Sequence, residues 1–375
     1  MRIAVNTRFL LKNRLEGIGW FTYETLKRIT TAHPEVEFHF LFDRPYDQNF
    51  IFGANVRAHV LFPPARHPFL WYWWFEWSVP KALNKIQPDL FVSTDGYLSL
   101  STPIPTLIVM HDLAFEHYPQ HVPFLVRKYY QHFSPLYARK ATRIATVSNY
   151  SKQDIVKHYG ISAEKIDVTL NGVNDRYLYL EPHQIEAAQQ KYTQGKPYFI
   201  YAGSINPRKN IPNLLRAFER FKSQTESDTQ LVIAGAKGWG YEEVFEVKEA
   251  MTFGKEVIFT GHLSSEDLSA LVGGAIAMTY VSLFEGFGIP LIEAMQAGVP
   301  VITSNVSSLP EVAGDAALLV SPNDIGDIAD AMYRLYANPE LRRDLAAKGK
   351  VQAVQFSWDL TAQRLWQSIE KALAS

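Results

Sequence analysis

Cysteine is absent from the 375 residues. No disulfide, thiolate metal site or cysteine nucleophile is therefore available, and the chain suits a reducing compartment. A charge excess is also lacking: 37 Lys and Arg stand against 38 Asp and Glu, a formal charge of −1. A general nucleic-acid binder would need a basic excess, so nucleic acid is not an expected partner. No apolar run approaches the ~20 residues of a membrane span. The most apolar stretch, Phe69–Trp77, is short and contains Glu76. Met1–Leu10 carries Arg2 and Arg8 in a strand-like run, without the apolar centre of a secretory signal. Together these absences predict a soluble cytoplasmic protein. What is present is the composition of a folded chain, 47% hydrophobic and 20% charged, at a length that suggests two domains.

Short β-rich runs alternate with helical patterns throughout. In the first half the strand candidates are Arg2–Arg8, Glu37–Phe42, Val56–Phe62, Leu90–Thr94, Thr106–His111, Arg143–Ser148 and Asp167–Leu170. Helical patterns run over Trp20–Ile29, Leu70–Lys85, Phe124–Lys140, Lys152–His158 and Gln184–Lys191. In the second half, Pro197–Gly203, Leu231–Gly235, Val257–Gly261, Ala275–Val281, Val299–Thr303 and Ala317–Val320 read as strands, each leaving room for a helix before the next. Such alternation defines the α/β class, with parallel sheets built from βαβ units. The prediction is two doubly wound, Rossmann-like domains in tandem, residues 1–178 and 179–357, with the polar stretch Asn171–Gln184 as linker. A final amphipathic pattern, Phe356–Leu373, has no strand after it, and its periodicity leaves open which domain it covers.

The strongest chemical signal is Phe284-Glu285-Gly286-Phe287-Gly288-Ile289-Pro290-Leu291-Ile292-Glu293, running on to Gly298. A strand ends, a glycine loop follows, Pro290 fits the first turn of a helix and Gly298 ends it. Free N–H groups at such a helix start attract an anion, here a phosphate. Glu285 before the helix and Glu293 within it repel phosphate but accept hydrogen bonds from hydroxyls. A nucleoside diphosphate sugar has the matching layout of sugar, diphosphate and ribose. Packing alone would explain an isolated Gly-x-Gly; it does not explain this combination.

With seven residues between Glu285 and Glu293, the segment resembles the E-x7-E motif of retaining glycosyltransferases of the GT-B fold, family 4. Matching segments occur in both halves of the chain. The resemblance implies two Rossmann-like domains facing a cleft, with the final helix, about 358–375, packing back on the acceptor-side first domain. It implies that Glu285 contacts the donor sugar, Glu293 the ribose, and the amides of Gly286, Phe287, Gly288 and Ile289 the phosphates.

A second signal is Gly203-Ser204-Ile205-Asn206-Pro207-Arg208-Lys209-Asn210, entered from a strand. Asn210 reads as an N-cap and Pro212 as a first-turn residue of a helix with an apolar face at Leu214, Leu215, Phe218 and Phe221. Arg208 and Lys209 held near that helix start form a clamp for the charge that a diphosphate gains on leaving. The family pattern usually carries Arg directly after the glycine, where this chain has Ser204; Arg208 supplies the second cation beside Lys209. Gly203 and Ser204 then line the donor site.

Further candidates follow from the resemblance. Val109-Met110-His111-Asp112 ends a buried strand and resembles the family's His-Asp pair near the donor sugar, which makes His111 a catalytic or orienting residue. Glu16-Gly17-Ile18-Gly19 resembles a loop that meets phosphate or acceptor through the amides of Gly17 and Gly19. It lacks the full dinucleotide fingerprint, because Phe21 and Thr22 stand where the third glycine belongs, which argues against a nicotinamide site. His262 and Leu263 follow a strand and are assigned to the nucleobase pocket. Ser304–Glu311 resembles the segment behind the donor site, and Ser148 reads as a helix cap.

Pro68–Trp77 places four tryptophans in seven positions, Trp71 to Trp77, too many for one core stripe. Core helix, sugar-stacking surface and interfacial patch for a lipid-linked acceptor all remain open, with Lys81, Lys85, Arg127 and Lys128 able to attract anionic lipid. The expected activity is retaining transfer of a hexose, best matched by mannose from GDP-mannose, to a saccharide or lipid-linked acceptor in surface-polysaccharide synthesis. UDP-sugars remain alternative donors. No DxD-type metal motif has a suitable setting, so no metal and no cofactor are expected. A GT-B nucleotide-sugar epimerase and a non-catalytic nucleotide-sugar binder are the competing classes.

Overall fold

The computed structural model describes residues 1–12, 15–178 and 180–375; Asn13, Arg14 and Tyr179 lie outside the described residues. The chain forms two compact units, Met1–Gly172 with Trp358–Ser375, and Val173–Ser357. The division falls between Gly172 and Val173, ahead of the 178/179 boundary read from the sequence. The polar stretch expected as a linker is structured: Tyr177 is buried, and a helix begins at Pro182.

The first unit is built on seven strands: β1 (Arg2–Asn6), β2 (Glu37–Phe42), β3 (Val56–Val60), β4 (Leu90–Ser93), β5 (Thr106–Met110), β6 (Arg143–Thr146) and β7 (Ile166–Val168). Their order is β3-β2-β1-β4-β5-β6-β7, with parallel pairing throughout. The second unit holds β8 (Tyr198–Ala202), β9 (Gln230–Ala234), β10 (Val257–Gly261), β11 (Ala277–Tyr280), β12 (Val301–Ser304) and β13 (Ala317–Val320). These run in the order β10-β9-β8-β11-β12-β13, again parallel. Helices cover both faces of such sheets, so central strands read as continuous apolar runs. β8, β9 and β11 are buried along their whole length.

In each sheet the winding direction reverses once, between β1 and β4 and between β8 and β11. Open α/β sheets bind ligands beyond the carboxyl ends of the strands at that reversal. The segment with Arg208 and Lys209 follows β8, and that with Glu285 follows β11. The strongest sequence signals therefore flank the reversal of the second sheet.

The final helix, Trp358–Leu373, belongs to the first unit. Its apolar stripe buries Leu365 and Ile369, and Trp358 meets Phe21 edge to face at 6.5 Å. Arg28 pairs with Asp359 at 2.5 Å, and Asp167 accepts from Ser368 and Lys371, both at 2.7 Å.

The tryptophan-rich segment is one helical run in three parts: Pro68–Trp73, a π turn Trp74–Ser78, and Val79–Ile86. The wider turn shifts the helix face. Trp74 and Phe75 enter the core with Val79 and Leu83, whereas Trp73 and Trp77 stay exposed. The helix read as Trp20–Ile29 begins earlier, at Gly17, so Gly17 and Gly19 sit in its first turn rather than in a loop before it.

Candidate active site

After β8 the chain turns through Pro207–Lys209, and Asn210 adopts a left-handed backbone at φ 59°. The Asn210 side chain does not cap the next helix as expected. It donates to Val281 O at 3.0 Å and Pro322 O at 2.7 Å, tying the loop to the segments after β11 and β13. The Leu283 N–H adds a 2.9 Å bond to Arg208 O. The two loops are thereby fixed to one another, and their charged side chains meet.

Lys209 Nζ lies 2.6 Å from Glu285 Oε1 and 2.5 Å from the Tyr280 hydroxyl, which is itself 3.1 Å from Oε1. Arg208 Nη1 donates to Phe284 O at 3.1 Å and stands 3.4 Å from Glu285 Oε2. Tyr201 stacks on Tyr280 at 5.7 Å. The Lys209 side chain is 10% exposed and that of Glu285 8%, so little solvent screens the pair. Burial by itself raises the Glu285 carboxyl, but Arg208 and then Lys209 outweigh it and bring it down to about 2. Glu285 is therefore an anion at any working pH.

Backbone geometry holds it there. The Glu285 N–H donates to Ser307 Oγ at 3.0 Å, and Ser308 Oγ donates to Glu285 O at 2.9 Å and Phe287 O at 3.0 Å. Gly288 has φ 111°, a conformation that favours glycine, and a Cβ there would also push on Leu309 Cδ2 at 2.8 Å. The Phe287 side chain is buried edge-on against Phe356, which leaves only its backbone for a ligand. The helix Ile289–Gln296 begins at once with Pro290 in its first turn, as expected.

Glu293 occupies a different environment. Burial pushes its carboxyl up to about 7, against the lowering influence of the Tyr177 hydroxyl and Arg176. The two glutamates thus differ in charge state near neutrality, although both stand on one short segment.

The remaining candidates are placed as follows. Ser204 Oγ accepts from Asn206 Nδ2 at 3.1 Å, and the Gly203 N–H donates to Ala234 O at 2.9 Å. His262 is exposed and Leu263 half-buried, both beyond β10, an edge strand separated from β8 by β9. They are not gathered with Glu285 in its hydrogen-bond network. In the first unit, His111 Nε2 is 2.9 Å from Thr94 O; a carbonyl only accepts, so the proton sits on Nε2. Burial lowers the His111 pKa, which keeps the ring neutral with Nδ1 as its basic nitrogen. A Cβ on Gly19 would come 2.9 Å from Phe9 O, a packing reason for glycine, while Gly17 is open. Ser148 caps its helix by accepting from the Ser151 N–H at 3.0 Å.

The sequence singles out neither Tyr280 nor Tyr177; it places Ser307 and Ser308 behind the donor site by resemblance alone, and it reads Asn210 as a helix cap. Pairing of β11 with β12 brings the two serines to Glu285, and Tyr177 meets Glu293.

Residues 183–352 match the family model described as Glycosyl transferases group 1, and residues 15–177 that described as Glycosyltransferase Family 4. The O-antigen chain mannosyltransferase B of Escherichia coli is 33% identical over 364 residues, 93% of this chain and 94% of that protein. The serotype-specific mannosyltransferase WbdA of Escherichia coli is 27% identical over 73% of this chain, which spans 34% of that longer protein. Sucrose-phosphate synthase from Thermosynechococcus elongatus superposes with a TM-score of 0.82, covering 100% of this chain and 99% of that one at 19% identity. The fold is therefore GT-B, two Rossmann-like units each on a parallel sheet. The chain belongs to glycosyltransferase family 4 and is a glycosyltransferase. Among the described residues, no helix is long and apolar enough to cross a membrane.

Proposed function

We propose that the chain transfers mannose from GDP-mannose to a saccharide or lipid-linked acceptor hydroxyl. The transfer retains anomeric configuration, uses no metal at the donor site and serves surface-polysaccharide assembly. The observation that carries this reading is the buried Glu285 held between Lys209 and Arg208 beyond β8 and β11. The choice of mannose and of polysaccharide rests on the O-antigen mannosyltransferase relative.

In the reaction the bond from the sugar's anomeric carbon to the diphosphate oxygen breaks, and the diphosphate takes up negative charge. Arg208 has the longer contact to Glu285, 3.4 against 2.6 Å, and the more exposed side chain, 21% against 10%. It is the cation that turns toward the phosphates, while Lys209 stays with the carboxylate and stabilises the same charge from behind. Amides of Gly286–Ile289 add the field of a helix start. Glu285 accepts sugar hydroxyls, and Glu293 accepts from the ribose when ionised. The acceptor oxygen then bonds to the anomeric carbon on the departing group's face, and its proton passes to the leaving phosphate oxygen.

A lipid-linked acceptor fits an apolar, basic surface of the first unit. Phe69 (73% exposed), Trp73 (53%) and Trp77 (50%) lie on the run Pro68–Ile86, and Phe124 (62%) opens the helix Phe124–Lys140, which meets that run where Tyr72 packs on Phe133 at 5.6 Å. Arg127 and Lys128 lie 5.4 and 5.9 Å from the Phe124 ring. Exposed aromatics beside cations suit the interface of an anionic membrane.

The deciding experiment is thermal stabilisation by GDP, UDP, ADP, dTDP and their sugars, with EDTA present. The expected result is stabilisation by GDP and GDP-mannose alone. Selective stabilisation by UDP would reassign the donor, and no shift with any of them, from folded protein, would overturn the donor-site reading.

A further inference from the structure

Where the crossovers after β5 and β6 meet, two histidines converge on one buried carboxylate. His117 ends the short helix Ala114–His117, while Asp154 and His158 lie one turn apart on the helix Asn149–Tyr159. Their i, i+4 spacing sets both side chains on one face. His117 Nε2 is 2.9 Å from each Asp154 carboxylate oxygen, and His158 Nδ1 is 3.0 Å from Oδ1 and 3.1 Å from the Asp154 carbonyl oxygen, which a cation would displace it from. The imidazoles stand edge to face with centroids 4.9 Å apart. All the donor atoms lie within 4.8 Å of one another. Asp154 is buried, but the histidine side chains keep 27% and 31% exposure, so an ion and water can reach the site.

Ligands about 2.0–2.1 Å from a tetrahedral ion are about 3.3 Å apart. The two histidine–carboxylate distances are within a few tenths of an ångström of that edge. Replacing the shared protons by a cation therefore needs little movement along those two edges, and the two imidazole nitrogens, within 4.8 Å of one another, set the third. Two imidazoles and a carboxylate suit zinc-like ions; calcium and magnesium prefer all-oxygen shells.

We propose that His117, Asp154 and His158 form a binding site for one divalent transition-metal ion of the zinc class, with water as the fourth ligand. The ion would join the segment that follows His111 to the helix Asn149–Tyr159, a connection already begun by Ser151 Oγ, which donates to His111 O at 3.3 Å. This is an ordering clamp within the first unit. It shares no residue with Glu285, Arg208 and Lys209, so its test and the donor test fail independently.

The full chain, stripped with EDTA and dialysed, is titrated with zinc chloride by calorimetry, and bound zinc is counted by mass spectrometry. One equivalent per chain is expected, with a raised Tm. Loss of a partner that merely orients a metal ligand weakens binding about 10–100-fold, so H117Q and H158Q should each weaken zinc by at least that much. Both replaced groups are partly exposed, and unchanged near-UV circular dichroism checks that the variants fold. Cobalt(II) should give the strong visible absorption of a four-coordinate ion in the wild type and not in the double variant. Absence of stoichiometric zinc from the wild type, or equal affinity in the folded double variant, would overturn the site and leave a hydrogen-bonded clamp.

Discussion

Glu285 and Glu293 have the same side chain and opposite electrostatics, and their pH signatures should differ in sign. The folded Glu285 carboxyl is lowered from 4.5 to about 2, so it stabilises the protein above pH 4.5, and that contribution is lost as pH falls toward 2. E285Q should flatten the acid limb of urea unfolding measured against pH. Glu293 is raised from 4.5 to about 7, so the folded state binds more protons across that window and stability declines as pH rises through it. E293Q should remove the decline and be more stable than wild type at pH 8. In the proposed donor site, ionised Glu293 is the form that accepts ribose hydroxyls, so on that proposal wild-type donor affinity should rise between pH 6 and 8 and become flat in E293Q. Truncating one partner of a buried pair costs about 3–5 kcal/mol. E285A should therefore lose stability as well as about 10²–10³-fold in kcat. Replacing Glu285 with Gln and Lys209 with Met together should restore stability and not turnover, which separates the chemical role from the structural one.

At the scale of elements, the run Pro68–Ile86 divides its tryptophans between two duties. Trp74 is fully buried, and W74A should cost about 3–5 kcal/mol in chemical denaturation. Trp73 and Trp77 are half exposed, so W73S with W77S should shift stability by less than about 1 kcal/mol. The same pair of changes should abolish co-sedimentation with vesicles containing phosphatidylglycerol; unchanged sedimentation would remove the membrane role. The sequence showed that four tryptophans cannot share one stripe. It did not show which two turn inward, because the π turn at Trp74–Ser78 changes the helical period exactly where periodicity had to be read. The glycine-loop segment was more legible. Pro290, the glycines and Glu293 carry local requirements of a strand-to-helix turn, and each appears where the spacing put it. Ser307 and Ser308 stand in the Ser304–Glu311 segment that resemblance alone put behind the donor site; their bonds to Glu285 were not legible because they cross between two paired strands.

For the whole molecule, the chain leaves the first unit at Gly172, forms the second, and returns at Trp358. The last helix is thus a component of the first unit's core, with Leu365 and Ile369 buried and Lys371 paired to Asp167. Deleting residues 358–375 should unfold the first unit and spare the second. Hydrogen exchange should then show lost protection in β1, β4, β5 and β6 and native protection in β8, β9 and β11.

The sequence by itself determined the α/β class, the position of every strand to within a few residues, the glycine loop, Arg208, Lys209 and Glu285 as charged groups beyond strand ends, and Glu293 as a charged group within the helix that follows. Those features follow from periodicity and from backbone requirements that act over a few residues. Tertiary structure decided the rest. Pairing β8 with β11 joined Lys209 to Glu285 and Tyr280; burial raises both carboxyls, and the Arg208 and Lys209 charges reverse that for Glu285 alone. It also brought His117 to Asp154 and sent the final helix to the first unit. A pKa, an ion pair or a helix's partner depends on which groups the fold brings within a few ångströms and how much water it removes. Neither quantity is written in the order of residues along the chain.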